Sequence, residues 1–237
     1  LDLAFGAKPI LVGEERNMEP LTATCEAAGM SILDPESASK VTHAGFVVAF
    51  PCEDSQSQKA AERILEKYNP SAIIATEKLG PNAKGVIHGI TGYDVTAQHA
   101  KIQYLISEAK KKAILTIGIG DGGNEIGCGL IADEVRKIQP YGEVCQCPCK
   151  SGIATVVPTD VLVIGAISNW GAYGIEACVA SLTENPVVLH DQETERRMLE
   201  ACVNKGAVDG TGLGQVLYVD GTTAEVQRAL ITMMKMI

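Results

Sequence analysis

An acidic, glycine-rich segment carries the groups best suited to chemistry. Residues 118–127 read G-I-G-D-G-G-N-E-I-G, in which five of ten positions are glycine and two are carboxylates. Glycine permits positive φ and lets backbone amides approach a ligand, and a helix N-terminus adds partial positive charge. If a helix follows this segment, its first amides are suited to an anion or a substrate carboxylate. The amides expected to do so are those of Gly122, Gly123 and Asn124.

The two carboxylates of this segment, Asp121 and Glu125, are four residues apart. If the helix begins at or just before Asp121, both side chains share one face and can bind a cation or transfer a proton. If Asp121 lies in the turn, it caps the helix instead. Any metal ion at this segment is expected to bind Asp121 and Glu125.

Two known motifs look similar to this segment, and both fit poorly. Gly118, Gly120 and Gly123 match G-x-G-x-x-G, the fingerprint of proteins that bind a nicotinamide or flavin dinucleotide. That fingerprint requires an acid about 20 residues later at the end of a second strand, but the residue found here is Glu143, in a cysteine- and glycine-rich loop. The acidic metal motif of haloacid-dehalogenase-type phosphatases is also similar. The best match to the nucleophile motif of that family, residues 218–222, has tyrosine where the attacking aspartate belongs.

Composition narrows the class of protein. Hydrophobic residues make up 46% of the 237-residue chain and aromatic residues only 4%, which indicates a core of aliphatic side chains in buried strands. A formal charge of −9 disfavours binding to nucleic acid or to anionic lipid. No apolar run approaches the roughly 18 residues that span a bilayer. We therefore expect neither a nucleic-acid partner nor a membrane.

The eight cysteines favour a reducing compartment, because a chain of this length and aliphatic content does not need disulfides to stabilise its core. Cys145, Cys147 and Cys149 occupy alternate positions. They include no C-x2-C pair and have no histidine nearby in the sequence, so ordinary loop thiols are favoured over a zinc site.

Strands and helices alternate along the chain. The strands are predicted at 9–13, 45–50, 71–76, 113–117 and 161–164, and the helices at 19–28, 54–68, 96–112, 124–138, 169–182, 194–204 and 223–236, with turns at 206–214. This order predicts a single α/β domain over 1–237, a three-layer α/β/α sandwich with a mostly parallel sheet. Ligands bind beyond the carboxyl ends of such strands, where the loop 77–96, the segment 118–127 and residues 168–174 should meet. The chain starts without methionine, so we expect it to be the C-terminal part of a longer polypeptide.

Four strings of residues resemble the D-glutamate cyclase family. They are A-T-E-K-L-G-P-N-A-K-G at 75–85, the segment 118–127, and P-T-D-V-L-V with S-N-W-G-A-Y-G at 158–163 and 168–174. The resemblance implies a hydro-lyase that converts D-glutamate into 5-oxo-D-proline and water. It also implies a mitochondrial matrix location and the C-terminal, cyclase-type domain of the family.

That reaction needs a base, an acid and donors for an oxyanion, but no redox cofactor. We hypothesise that Glu77 and Asp121 form the acid–base pair and that Glu125 orients one of them or holds a divalent cation. The residues expected to contact D-glutamate, besides the three amides above, are Lys78, Tyr93 and Asn169. A metal-dependent phosphoesterase and a non-catalytic domain that binds a small acidic metabolite stay open as alternatives.

Overall fold

The computed structural model describes residues 1–210 and 214–236. These residues form two compact units, one of Leu1–Ala49 with Tyr173–Ile237 and the other of Phe50–Ala172. In these described parts of the chain, no helix is both long enough and apolar enough to cross a membrane.

The strands and helices follow one another in chain order. The strands are β1 Ile10–Gly13, β2 Ser31–Ile32, β3 Ala44–Ala49, β4 Ala72–Thr76, β5 Leu115–Gly120, β6 Val161–Ile164, β7 Tyr218–Val219 and β8 Thr222–Thr223. The α-helices are α1 Asp2–Phe5, α2 Met18–Ala27, α3 Pro35–Lys40, α4 Asp54–Tyr68, α5 Gln103–Lys111, α6 Ala132–Ile138, α7 Ser168–Leu182, α8 Gln192–Asn204 and α9 Ala224–Met234. Short 3-10 turns lie at Glu15–Asn17, Thr96–Gln98 and Gly129–Ile131.

The first unit contains a three-stranded sheet in the order β1-β3-β2. Both pairings are parallel, with Ile10 opposite Phe46 and Ser31 opposite Ala44. Helix α2 packs against α8, and α8 packs against α9. A two-stranded antiparallel ribbon, β7-β8, precedes α9.

The second unit contains the sheet β4-β5-β6, in which both pairings are also parallel. Ile117 of the central strand pairs with Ile74 on one side and Val161 on the other. Helices α4 and α5 pack against each other, and α5 packs against β5. All three strands therefore present their carboxyl ends at one edge of this sheet.

The predicted fold class is confirmed, because parallel sheets flanked by helices are consistent with a three-layer α/β/α sandwich. Most predicted strands and helices agree with the observed ones to within one or two residues. The assignment of 1–237 to one domain stays a prediction. Part of the turn predicted at 206–214 lies outside the described residues.

Two helix predictions were wrong. The helix expected over 96–112 is a 3-10 turn followed by α5, which begins only at Gln103. The Lys101 side chain is buried and its Nζ donates to the carbonyl groups of Thr96 and His99, so the backbone turns at this point. In a continuous helix, the carbonyl groups of Thr96 and His99 would accept backbone amides of the same helix. Here they accept the ammonium group of Lys101 instead.

The helix expected over 124–138 begins only at Ala132. Residues 124–127 do not form a helix, because the Ile126 amide donates to the Lys78 carbonyl at 2.7 Å and the Gly127 amide donates to the Val157 carbonyl at 2.8 Å. Gly127 has φ 108°, a value that a helix does not contain. The glycine-rich segment is therefore not followed by a helix N-terminus.

Strand β6 is held beside β5 by Asp160. Its Oδ2 accepts hydrogen bonds from the Thr116 Oγ1 at 2.7 Å and from the Thr116 amide at 2.8 Å. These bonds from Thr116 favour the ionised form and lower the pKa of Asp160. Asp160, in the P-T-D part of the string at 158–163, therefore stabilises the pairing of β6 with β5.

In the first unit, His190 forms a buried charge network. Its Nδ1 lies 2.6 Å from Glu176 Oε2, its Nε2 lies 2.9 Å from Glu195 Oε2, and Tyr173 donates its hydroxyl to Glu195 Oε1 at 2.6 Å. Burial by itself would lower the pKa of His190, but the bonds to Glu176 and then Glu195 outweigh it and raise the pKa to about 9. His190 is therefore an imidazolium ion at neutral pH.

We expect this network to make stability depend on pH. Because folding raises the pKa of His190 from 6.5 to about 9, its contribution is complete below pH 6.5 and is lost as the pH rises through 9. His190→Gln should lower the free energy of unfolding at pH 6.5 by on the order of 2 kcal/mol and flatten its decline at higher pH. Urea unfolding at several pH values measures both effects.

His43→Asn is the matched control, because His43 pairs with Asp2 at a largely exposed position and asparagine tolerates its φ of 52°. Both variants keep every cysteine, so the ionisation of the thiol groups contributes equally to the pH dependence of their stability. Equal pH dependence in His190→Gln and the wild type would contradict the charged network.

Candidate active site

Three acidic and polar side chains lie at the carboxyl edge of the β4-β5-β6 sheet. Glu77 follows β4, Asp121 follows β5, and Ser168 begins α7 shortly after β6. A carboxylate oxygen from each of Glu77, Asp121 and Glu125 lies within 4.8 Å of the others. The structure therefore brings together the three carboxylates that the sequence analysis selected.

Ser168 links two of these carboxylates. Its hydroxyl is hydrogen-bonded to Glu77 Oε2 and lies 2.9 Å from Asp121 Oδ2, and its amide donates to the same Asp121 oxygen at 2.7 Å. Ser168 is fully buried and is the first residue of a 15-residue helix. The partial positive charge at this helix N-terminus favours a negative charge on Asp121.

Glu125 holds the turn that follows β5. Its two carboxylate oxygens accept the amides of Gly122 and Gly123, each at 2.8 Å, and only 1% of the residue is exposed. A buried carboxylate needs such donors, because leaving it without partners costs several kcal/mol. The two amides expected to hold a substrate carboxylate are therefore engaged by Glu125.

Close packing explains the density of glycine in this turn. Gly123 has φ 90°, and a Cβ atom on it would lie 2.4 Å from Val135 Cγ1. A Cβ atom on Gly120 would lie 2.9 Å from Glu125 Oε2. A side chain at Gly120 would displace the carboxylate that organises the turn, and one at Gly123 would clash with Val135 of α6.

Glu77 has an unusual backbone. Its φ is 52°, in the left-handed region that non-glycine residues seldom adopt, and its amide donates to the Ile119 carbonyl at 3.0 Å. Such strain of about 1 kcal/mol persists only where the surrounding structure imposes it, and it concentrates at functional sites. The backbone conformation places the Glu77 side chain against Ser168.

The other predicted site residues lie as follows. The Asn124 side chain donates a hydrogen bond from Nδ2 to the His88 carbonyl at 2.8 Å, so it links the glycine-rich turn to the loop after β4. The Lys78 carbonyl accepts the Ile126 amide, and Asn169 follows Ser168 in the first turn of α7. Tyr93 is exposed in the loop after β4. Contact of Lys78, Tyr93 and Asn169 with substrate stays a prediction.

The nearby thiol of Cys128 is unsuited to nucleophilic chemistry. Burial, and then the charge of Glu125, raise the pKa of Cys128 to about 12. The thiolate is the reactive form, and it is scarce at neutral pH under these conditions. Cys128 is therefore a poor candidate for a nucleophile at this site.

Sequence reasoning missed two groups. Ser168 was part of a distinctive string but received no role, because its contacts come from strands distant in sequence. Cys145, Cys147 and Cys149 were interpreted as having no histidine partner, and that interpretation was wrong. His88 lies within 4.8 Å of all three sulphur atoms, from 59 residues away in the case of Cys147.

The profile of a family described as "D-glutamate cyclase-like, C-terminal" matches residues 1–235. A human protein named "D-glutamate cyclase, mitochondrial" is 34% identical over 107 residues, which cover 45% of this chain and 16% of the human protein. The chain thus spans a small part of that relative. The match to the family profile extends over nearly the whole sequence, and the chain belongs to the D-glutamate cyclase-like C-terminal family.

Proposed function

We propose that this chain is a hydro-lyase that closes D-glutamate to 5-oxo-D-proline with release of water. The observation that carries the proposal is the pair of carboxylates, Glu77 and Asp121, bridged by the buried hydroxyl of Ser168 at the carboxyl edge of a parallel sheet. Membership of the D-glutamate cyclase-like family supports the choice of substrate. We also propose a mitochondrial matrix location, by analogy with the named location of the human relative.

The reaction sets clear demands on protons. The α-ammonium group of D-glutamate must lose a proton before its nitrogen attacks the carbon of the side-chain carboxyl group. The new C–N bond forms, one C–O bond breaks, the nitrogen loses a second proton, and the departing oxygen leaves as water after it has gained two protons. A base and an acid next to each other can satisfy both demands.

The hydrogen bonds at Ser168 support a division of these two roles. A hydroxyl group has one proton, and Asp121 Oδ2 accepts both this hydroxyl and the Ser168 amide. The same hydroxyl is also hydrogen-bonded to Glu77 Oε2, so it can pass a proton between the two carboxylates. We assign Asp121 as the base and Glu77 as the acid, with Ser168 passing a proton between them.

Glu125 acts as a positioning residue in this scheme. It binds two amides of the turn directly after Asp121 and so fixes the direction of the Asp121 side chain. Three carboxylates repel a substrate that itself carries two, so a positive charge is needed for binding. We assign that charge to Lys78, next to Glu77. The steps need no redox cofactor, and a divalent cation between the carboxylates would offset charge in the same way.

Asp121→Asn and Glu77→Gln should each lower kcat for D-glutamate by about 100-fold or more, the typical contribution of a general acid or base. Both changes keep the size of the side chain but remove its ability to exchange the proton. The measurement is formation of 5-oxo-D-proline, followed by chiral chromatography.

Glu134→Gln is the matched control, because Glu134 is an exposed acid of α6 in the same unit. It should keep wild-type turnover. A wild-type chain that leaves D-glutamate unchanged, or a folded Asp121→Asn variant with wild-type turnover, would contradict the proposal. Release of phosphate from small esters would point to the phosphoesterase instead.

Ser168→Ala tests the proton link. Removing the hydroxyl keeps both carboxylates but breaks their connection, so kcat should fall about tenfold and KM should change little. Ser107→Ala, at an exposed serine of α5, serves as the control and should alter neither.

A further inference from the structure

We propose that His88, Cys145, Cys147 and Cys149 form a structural zinc site. These residues lie on two segments of the second unit, His88 in the loop after β4 and the cysteines between α6 and β6. One ligand atom from each residue lies within 4.8 Å of the other three. The proposal is independent of the reaction assigned above.

The measured separations fit a tetrahedral zinc ion. Bonds of about 2.3 Å to sulphur and about 2.0 Å to nitrogen give tetrahedral edges of about 3.8 Å between sulphurs and about 3.5 Å between sulphur and nitrogen. Cys145 Sγ lies 3.5 Å from Cys147 Sγ and 3.3 Å from Cys149 Sγ. His88 Nε2 lies 3.1 Å from Cys147 Sγ and 3.7 Å from Cys149 Sγ. These four separations are within about 0.5 Å of the tetrahedral edges, and the remaining two are no longer than 4.8 Å.

Other uses of these groups fit less well. The sulphur separations are far longer than the roughly 2.05 Å of a disulfide bond. A four-iron cluster would bind each sulphur to a different iron and hold the sulphurs further apart. Three thiolates and an imidazole are a soft ligand set that suits zinc and leaves no position for substrate, as in structural zinc sites.

The surroundings hold the ligands as a zinc site requires. His88 is fully buried, and its Nδ1 lies 3.1 Å from the Val86 carbonyl, so Nδ1 carries the hydrogen and Nε2 faces the sulphurs. This is the common arrangement for a zinc-bound histidine. Asn82 Nδ2 donates to Cys149 Sγ at 3.4 Å, and the Cys149 amide donates to Cys147 Sγ at 3.4 Å. These donors would stabilise thiolate charge.

The site would join two segments that border the carboxylates. The His88 carbonyl accepts a hydrogen bond from Asn124 Nδ2 at 2.8 Å, and Asn124 immediately precedes Glu125 in the chain. On the other side, Gln146 binds the same loop, through its amide to Gly92 at 3.0 Å and its Nε2 to Thr91 at 2.8 Å. Zinc would therefore fix the loop after β4 against the glycine-rich turn.

Tag-free wild-type chain, purified from cells grown with added zinc, should contain about one zinc ion per chain by elemental analysis. Cys149→Ser removes a ligand at a half-buried position, so the protein has the best chance to fold, and its zinc content should fall to a small fraction of that value. Cys52→Ser is the matched control, since Cys52 is a half-buried cysteine of the same unit outside the cluster. It should keep the metal.

Cobalt provides a readout that does not depend on the yield of the variant. Replacement of zinc by Co²⁺ in the wild type should produce thiolate-to-cobalt charge-transfer absorption and the visible bands of a tetrahedral ion. These bands should weaken in Cys149→Ser and persist in Cys52→Ser. Wild-type chain with less than about one tenth of an equivalent of zinc and no thiolate band with Co²⁺ would overturn the proposal. Unchanged zinc content in Cys149→Ser would also overturn it.

Discussion

The carboxylate of Glu125 determines the shape of the candidate site. Its oxygens bind two consecutive glycine amides, and its own backbone pairs with Leu79 across an antiparallel bridge. A charged group that is 1% exposed requires these partners, so the turn after β5 and the loop after β4 must meet in one arrangement. Asp121, four residues earlier, points out of this turn towards α7. Loss of the Glu125 carboxylate would leave two buried amides without acceptors and free Asp121 to move.

Parallel strand order explains why the acidic pair forms at all. Glu77 and Asp121 are distant in sequence, but β4 and β5 are paired in register and run in the same direction, so the residues that follow them are neighbours. Helix α7 then begins beside them, with Ser168 between the two carboxylates. The helix N-terminus lies beside Asp121, which is half-buried, whereas Glu77 is exposed. Two carboxylates in different electrostatic surroundings are suited to different roles in proton transfer.

Much of this arrangement could be predicted from the sequence, because it depends on local pattern and on strand direction. Continuous apolar runs identified β4, β5 and β6, and parallel order then predicted that Glu77, Asp121 and the start of α7 would meet. The failures concern groups whose partners lie elsewhere in the chain. The segment 124–127 has the composition of a helix start, but the amides of Ile126 and Gly127 bind the carbonyl groups of Lys78 and Val157, so no helix begins there. The pairing of His88 with three cysteines left no signal in the spacing of the cysteines themselves, because the histidine belongs to a different loop.

The wrong helix start at 124 and the missed histidine partner of the cysteines have a common explanation in the position of the cysteine–histidine cluster. Irregular segments lack the repeated backbone hydrogen bonds that order a helix or strand, so a long loop must be held by side chains or by a metal ion. Here His88 contributes its ring to the thiol cluster and its carbonyl to Asn124, one residue before the buried Glu125. An ion bound to the ring would restrict the carbonyl as well, since both belong to one residue with a fixed tautomer. Precise placement of the carboxylates and order in the neighbouring loops therefore depend on the same few contacts, even though the proposed zinc site takes no part in proton transfer.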